Sequence, residues 1–163
     1  MRLFFALWPP AETAAALAEW ARQFDGRAVA AANVHLTLAF LGDVDERNAC
    51  EAARTVRGRK HALPIDRARY WRHNKILWVG PRDTPQPLLA LVDQLHGSLR
   101  QNGFVLEERP FAAHVTLVRK ARAPSALSRL PAVTWPVEEF ALVASTPGRT
   151  GASYRTLEAF QLR

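Results

Sequence analysis

The chain has 163 residues, 48% of them hydrophobic, and a formal net charge of +7. This length fits one domain or two small lobes with a shared core, and the hydrophobic content excludes a disordered chain. The positive charge favours an anionic partner such as a nucleic acid or a phosphorylated small molecule, although the cations form no dense run resembling a nucleic-acid-binding tail.

Cysteine content and hydropathy indicate the cellular compartment of the protein. Cys50 is the only cysteine, which excludes an intramolecular disulfide and a cysteine-based zinc cluster and fits a reducing environment. The apolar start of the chain is too short for a signal peptide, and no run approaches the roughly 18 apolar residues of a membrane span. We expect a soluble, cytoplasmic protein with no membrane partner and no obligate protein partner.

The first part of the chain predicts a strand, a helix and another strand. The first strand covers residues 3–8, and Pro10 lies at the first turn of a helix that Gly26 ends. The next strand begins at His35 and ends at Gly42. A second helix, over roughly 46–57 and capped by an aspartate, follows.

The middle of the chain predicts a hairpin and the longest helix. The hairpin joins strands 65–71 and 76–79, and Trp78 is expected in the core. Helical spacing of leucines and a valine then runs from Thr84-Pro85 to Asn102-Gly103.

The remaining chain predicts strands with an irregular connection between them. A short strand at 104–106 precedes a strand that begins at His114. A connection containing three prolines leads to alternating apolar residues at 140–144 and a last strand over 154–162.

One motif occurs twice. His35-Leu36-Thr37 is repeated 79 positions later as His114-Val115-Thr116, each time in a run of strand-forming residues. Residues i and i+2 of a strand point to one face, so each strand offers an imidazole and a hydroxyl together. An imidazole transfers protons near neutral pH, and a hydroxyl donates to an anionic oxygen. A single His-x-Thr is a weak signal, but two copies that face one cleft suit phosphodiester hydrolysis, which needs a base and an acid.

The surroundings of the motif also repeat. A strand, a helix and a His-x-Thr strand occur in residues 3–40 and again in residues 76–118. This predicts an α+β fold of two pseudo-symmetric lobes, each an antiparallel sheet flanked by helices, with the active-site cleft between them.

With its flanks included, the double motif resembles the 2H phosphoesterases, which are named for two His-x-Thr-x motifs. Within them the chain is similar to the bacterial RNA 2′,3′-cyclic phosphodiesterases, formerly called 2′-5′ RNA ligases. The matching segments span nearly the whole chain and are residues 2–7, 33–42, 78, 109–111 and 114–119. Ala113 stands where the family often has proline, and Ala31-Ala32 where it often has Pro-Glu.

The resemblance implies a single bilobal domain over residues 1–163 that needs no cofactor and no metal. Its substrates would be RNA ends or nucleotides carrying a 2′,3′-cyclic phosphate, hydrolysed to a 2′-phosphomonoester. His35 would be the general acid and His114 the general base. Thr37 and Thr116 would hold the non-bridging phosphate oxygens.

Two further residues carry expectations from the same resemblance. Arg119, five residues after His114, would neutralise the phosphate, and Phe40, five residues after His35, would stack on a base. A regular strand would turn Arg119 away from its histidine, so either a bulge re-aims it or it is structural. His61, His73 and His96 have no partner at an interpretable spacing and are expected on the surface.

Three alternatives remain open at this point. A 2′-5′ RNA ligase would use the same cleft, and a non-catalytic RNA- or nucleotide-binding module would use its charge. The two retained imidazoles count against a module that only binds. A metal-dependent hydrolase is disfavoured because no histidines or carboxylates cluster at ligand spacing around either motif.

Overall fold

The computed structural model describes all residues, 1–163, and contains three helices and ten strands. The helices are α1 (Ala11–Ala21), α2 (Glu46–Arg54) and α3 (Gln86–Gln101). The strands are β1 (Arg2–Leu7), β2 (Arg27–Ala28), β3 (Leu36–Gly42), β4 (His61–Ala62), β5 (Arg67–Trp71), β6 (Ile76–Gly80), β7 (Val115–Arg119), β8 (Pro136–Val137), β9 (Glu139–Thr146) and β10 (Ser153–Gln161). A 3₁₀ turn over Ala31–Asn33 leads into β3.

Eight strands form one antiparallel sheet made of two half-sheets. Its order is β10-β9-β1-β3-β7-β6-β5, with β2 also paired to β7, while β4 and β8 pair separately. The halves β10-β9-β1-β3 and β7-β6-β5 are joined through one residue pair, Leu36 opposite Val115. The predicted α+β architecture is confirmed, and the repeated unit is β1-α1-β3 in one lobe and β6-α3-β7 in the other.

The main hydrophobic core lies on one face of this sheet. Helix α3 places leucines and a valine there at i, i+3 and i+4 spacing, namely Leu88, Leu91, Val92, Leu95 and Leu99. Each fully buried leucine stabilises the fold by about 1.5–3 kcal/mol. The opposite face carries a small cluster of Phe4, Ala6, Ala141 and Val143. That second face is the one that presents polar side chains.

Local chemistry explains where the helices begin. Pro10 precedes α1, where its lack of an N–H costs no helical hydrogen bond. The Asp45 carboxylate accepts a hydrogen bond from the Asn48 backbone N–H at 3.3 Å, so it caps α2. No helix of the chain combines the length and apolar character needed to cross a membrane.

Two predicted helices end early, and one predicted strand is wrong. Helix α1 ends at Ala21 rather than at Gly26, and α2 ends at Arg54 rather than near residue 57. Residues 104–106 form no strand. Their alternation arises because Phe104 and Leu106 pack against the main core from a loop that has no strand beside it. Leu106 of this loop also lines the cavity described below.

Candidate active site

The pair Leu36–Val115 places the two motifs next to each other. In an antiparallel pair, the residue after one partner lies beside the residue before the other. Thr37 therefore lies beside His114, and His35 lies beside Thr116, on the face opposite the buried Leu36 and Val115. The four predicted site residues surround the junction of the lobes. This contact between segments 79 positions apart is the central prediction of the repeat.

A β-bulge follows each motif and changes the direction of the strand's side chains. Leu38 has no partner on β1, because Thr37 pairs with Ala6 and Ala39 pairs with Phe5. Leu38 and Ala39 are consequently both buried, and the next side chain, that of Phe40, points to the cleft face.

The second lobe contains an equivalent β-bulge. Leu117 has no partner on β6, because Thr116 pairs with Trp78 and Val118 pairs with Leu77. Leu117 and Val118 are both buried and Arg119 is exposed. In a regular strand, a spacing of five would turn Arg119 away from His114. The extra residue of the bulge allows Arg119 to face the same side as the histidines.

Both imidazoles are oriented by the same backbone contact. His35 Nδ1 donates to the Asn33 carbonyl oxygen at 2.7 Å, and His114 Nδ1 donates to the Ala112 carbonyl oxygen at 2.8 Å. A neutral imidazole that donates from Nδ1 carries its lone pair on Nε2. Asn33 is itself held by a hydrogen bond from its Nδ2 to the Ala152 carbonyl at 3.0 Å.

The two Nε2 atoms differ in their contacts. The Thr37 hydroxyl donates to Nε2 of neutral His35 at 3.1 Å. Nε2 of His114 makes no hydrogen bond within the protein, and neither does the Thr116 hydroxyl. The second histidine therefore presents a free lone pair to the cleft.

Aromatic rings surround each histidine. The ring centroid of His35 lies 5.1 Å from Phe4, 5.6 Å from Trp8 and 5.2 Å from Tyr154. The ring of His114 lies 4.7 Å from Trp71 and 6.1 Å from Trp78. These rings restrict the imidazoles and remove water from their edges.

This environment lowers the pKa of both histidines. Burial is the largest cause at His35 and at His114, since it penalises the charged imidazolium. The hydrogen bond to the backbone opposes this shift in each case. The positive charge of Arg119 lowers both pKa values further, as does His114 for His35 and Arg109 for His114. The charge of Arg119 thus affects both imidazoles.

A cavity of about 460 Å³ opens beside the histidines. Thr37, Phe40 and His114 line it, whereas His35, Thr116 and Arg119 do not. Its other walls are aromatic and basic and include Trp71, Phe111 and Arg109. The volume and the lining suit a small ligand with a flat ring and an anionic group.

Two of the histidines expected on the surface line this cavity: His73 is exposed, as expected, whereas His96 is half-buried. His96 Nε2 donates to the carbonyl of the bulge residue Leu38 at 2.8 Å, so it ties α3 to the strand that carries the first motif. The spacing of four between Val92 and His96 on α3 was the available signal, since it places His96 at the edge of the buried stripe.

Sequence reasoning missed other cavity and cleft residues. Trp71 and Arg109 approach His114 from a hairpin and a loop, where no periodicity marks them. Arg27 lies directly opposite Arg119 in the short pairing of β2 with β7, which the sequence did not predict. No group of three or more histidine, cysteine, aspartate or glutamate side chains is placed to hold a metal ion.

The fold and the paired motifs define a phosphoesterase of the two-histidine class. The chain belongs to the family described as LigT-like phosphoesterases, whose family model matches residues 7–78 and again residues 79–154. The double match reflects the two lobes.

Individual relatives agree with this assignment. The chain is 36% identical over 170 residues to an RNA 2′,3′-cyclic phosphodiesterase of Escherichia coli, covering 99% of this chain and 96% of the relative. It is 35% identical to one of Thermus thermophilus, covering 100% of this chain and 91% of that one. The crystal structure of E. coli LigT complexed with 3′-AMP superposes with a TM-score of 0.91 at 33% identity, covering 99% of this chain and 97% of that chain.

Proposed function

We propose that this protein hydrolyses 2′,3′-cyclic phosphates at RNA ends or on nucleotides to 2′-phosphomonoesters. The observation that carries the proposal is the pair of histidines on adjacent strands, with one arginine whose charge acts on both. The E. coli and T. thermophilus relatives are named for this activity on RNA. The whole of residues 1–163 acts as one unit in this proposal, because each lobe supplies half of the site.

The reaction needs two proton transfers. His114 Nε2 takes a proton from water, whose oxygen forms the new bond to phosphorus. The bond from phosphorus to the 3′ oxygen breaks, and His35 gives its proton to that departing oxygen. The product has a 2′-phosphate and a free 3′-hydroxyl. Each turnover leaves His114 protonated and His35 neutral, so exchange with solvent restores the starting state.

The geometry supports this division of roles. Nε2 of His114 has no partner in the protein and lies at the cavity, where a neutral imidazole accepts a proton. His35 must be protonated to act as the acid, although burial lowers its pKa. A bound phosphate anion beside the ring raises that pKa again, so substrate binding itself charges the acid.

The remaining proposed residues hold the substrate. Thr37 and Thr116 lie on the same face as the histidines and donate to the non-bridging oxygens. The Thr37 hydroxyl becomes free to do so when His35 is protonated, because Nε2 then no longer accepts its hydrogen bond. Arg119 neutralises the phosphate, and its charge reaches both histidines. Phe40 lines the cavity with half of its surface exposed, at 50%, and stacks on the nucleobase.

The test is an assay with a nucleoside 2′,3′-cyclic monophosphate and with an RNA bearing a 2′,3′-cyclic end. Both are run in the presence of a chelator, because the proposed chemistry uses histidines in place of a metal. The product isomer is then identified. We expect the 2′-phosphate from both substrates, and none from the His35→Ala/His114→Ala double variant, which controls for contaminating nucleases.

Other products would redirect the proposal. A 2′-5′ linkage that forms faster than the monophosphate when 5′-hydroxyl RNA ends are supplied would favour the ligase. Binding of the cyclic ends without turnover would favour a module that only binds. The cytoplasmic location and the lack of an obligate protein partner stay predictions.

A further inference from the structure

We propose that a groove of four arginines beside the cleft binds the phosphate backbone of the RNA strand whose end is being hydrolysed. The arginine groove is defined by Arg67, Arg69, Arg82 and Arg129. The inference rests on the proposed function, because it extends the substrate from a terminal nucleotide to a strand.

The groove is a concavity of about 690 Å³ along the outer edge of β5. Its four cations come from three places in the chain: β5, the turn after β6 and the irregular connection before β8. Ser128 also lines the groove, and its hydroxyl donates to Gln23 Oε1 at 2.9 Å. The sequence did not predict this grouping, because the four arginines lie up to 62 positions apart.

The charge of the arginine groove is not balanced within the protein. None of its four arginines forms an ion pair, whereas five other cations of the chain do. Asp66 is the only acid in the lining, and its carboxylate is engaged by the Arg82 backbone N–H at 2.7 Å. The Nε–H of Arg67 is buried with no hydrogen-bond partner. Four unpaired cations around one concavity attract a polyanion.

The register of the sheet connects the arginine groove to the reacting histidine. Arg69 pairs with Trp78, and Trp78 pairs with Thr116, so these three side chains share the face that carries His114. Two strand spacings separate Arg69 from Thr116, which is about 10 Å. The arginine groove therefore begins about 10 Å from the proposed site of the cyclic phosphate.

A row of aromatic contacts fills the intervening space. The guanidinium of Arg67 lies 5.6 Å from the centroid of Trp78, in a cation–π arrangement. Trp78 packs on Trp71 with centroids 4.9 Å apart, and Trp71 packs on His114. The arginines and the half-buried Trp71 suit a single strand, because its phosphates need cations and its bases need an aromatic surface. This continuity with the histidines favours RNA over an acidic peptide or a lipid surface.

The first experiment measures binding without turnover. A fluorescent RNA hexamer with a 3′-phosphate is titrated by anisotropy at several salt concentrations, using wild type, Arg82→Ala/Arg129→Ala and Arg47→Ala/Arg100→Ala. The last variant removes the same charge from exposed positions on α2 and α3. We expect roughly fivefold to tenfold weaker binding for the groove variant only. For this variant, the slope of log K against log[salt] should become shallower by about 1.4. Each phosphate contact on a single strand contributes about 0.7 to that slope, and the variant removes two.

The second experiment separates this inference from the proposed function. The rates of hydrolysis of a nucleoside 2′,3′-cyclic monophosphate and of a hexamer with a 2′,3′-cyclic end are compared. The groove variant should raise KM for the hexamer alone, since a mononucleotide is too short to reach Arg82 and Arg129. Equal effects of the two double variants on hexamer binding, or an unchanged salt slope, would overturn the arginine groove while hydrolysis stands. Groove-dependent hexamer binding with no turnover of either substrate would support the groove and overturn the proposed function.

Discussion

Thr37 holds its hydroxyl oxygen 3.1 Å from Nε2 of His35, so both ring nitrogens of this histidine are hydrogen-bonded within its own lobe. His114 has only its Nδ1 engaged. The two lobes repeat the same residues but differ in how free each imidazole is. This asymmetry gives the second histidine the available lone pair that a general base requires.

Removal of either imidazole should therefore abolish most of the activity. His35→Ala and His114→Ala should each lower kcat by about 10²–10⁴-fold, which is the contribution of one proton transfer. The reduction of kcat in the double variant should be much smaller than the two single-variant reductions multiplied together, because both histidines act in one step. His61→Ala is the matched control, since His61 lies in the separate β4–β8 pair. Rates are measured with a nucleoside 2′,3′-cyclic phosphate, and full activity in both single variants would exclude paired-histidine catalysis.

The dependence of kcat/KM on pH should be bell-shaped and lie on the acid side. Catalysis needs one neutral and one protonated imidazole, and kcat/KM reports the free protein. Both pKa values are lowered from 6.5, mainly by burial, so the population with one proton is greatest below that pH. We expect kcat/KM to fall as pH rises from 6.5 to 8. A rise over that range would contradict the lowered pKa values.

Arg119 should set the position of that profile. Its charge lowers the pKa of both histidines, so Arg119→Gln should move the kcat/KM maximum to higher pH while lowering its height. Arg119→Lys keeps the charge and loses the planar fork, so it should keep the position of the maximum and still lower its height. The full pH profiles of the two variants distinguish the two roles. Profiles that coincide would show that Arg119 acts without its charge.

Phe40→Ala should weaken substrate binding with little effect on stability. Phe40 is 50% exposed and lines the cavity, and stacking of a base on an aromatic ring contributes about 1–3 kcal/mol. We expect KM to rise at least about fivefold, with a change in the free energy of unfolding within about 0.5 kcal/mol. Leu89→Ala is the control, because Leu89 is also an exposed apolar residue, on α3 and outside the cavity. An unchanged KM would remove Phe40 from the site.

A glycine next to the second motif should resist substitution. A Cβ at Gly80 would lie 2.7 Å from the carbonyl oxygen of Ala113, and Ala113 directly precedes His114. Gly80→Ala should therefore destabilise the protein by about 1–3 kcal/mol and lower kcat, because β6 and the approach to His114 must separate. Gly97→Ala is the control and should stabilise by about 0.5–1 kcal/mol, since nothing lies within 4 Å of its Cβ on α3. Urea unfolding and initial rates measure both effects.

Local sequence periodicity was sufficient to predict much of the fold and the two His-x-Thr motifs. The i, i+2 spacing of His35 with Thr37 sets which side chains share a face, and this depends only on the strand backbone. The apolar stripe of α3 and the proline before α1 are local in the same way. The repeat of the motif after 79 residues also made the two-lobed arrangement predictable before any contact was known.

Tertiary structure decided what surrounds those motifs. A bulge depends on which residues the neighbouring strand offers, so the redirection of Phe40 and Arg119 was invisible in the sequence except as a conflict of parity. His96 reaches the cavity because α3 packs across the bulge at Leu38. The loop that follows α3 lacks a strand because no partner lies beside it, although its own alternation favours one. The arginine groove likewise exists only because three distant segments meet at the edge of β5, since charge carries no periodicity that reveals where a chain returns.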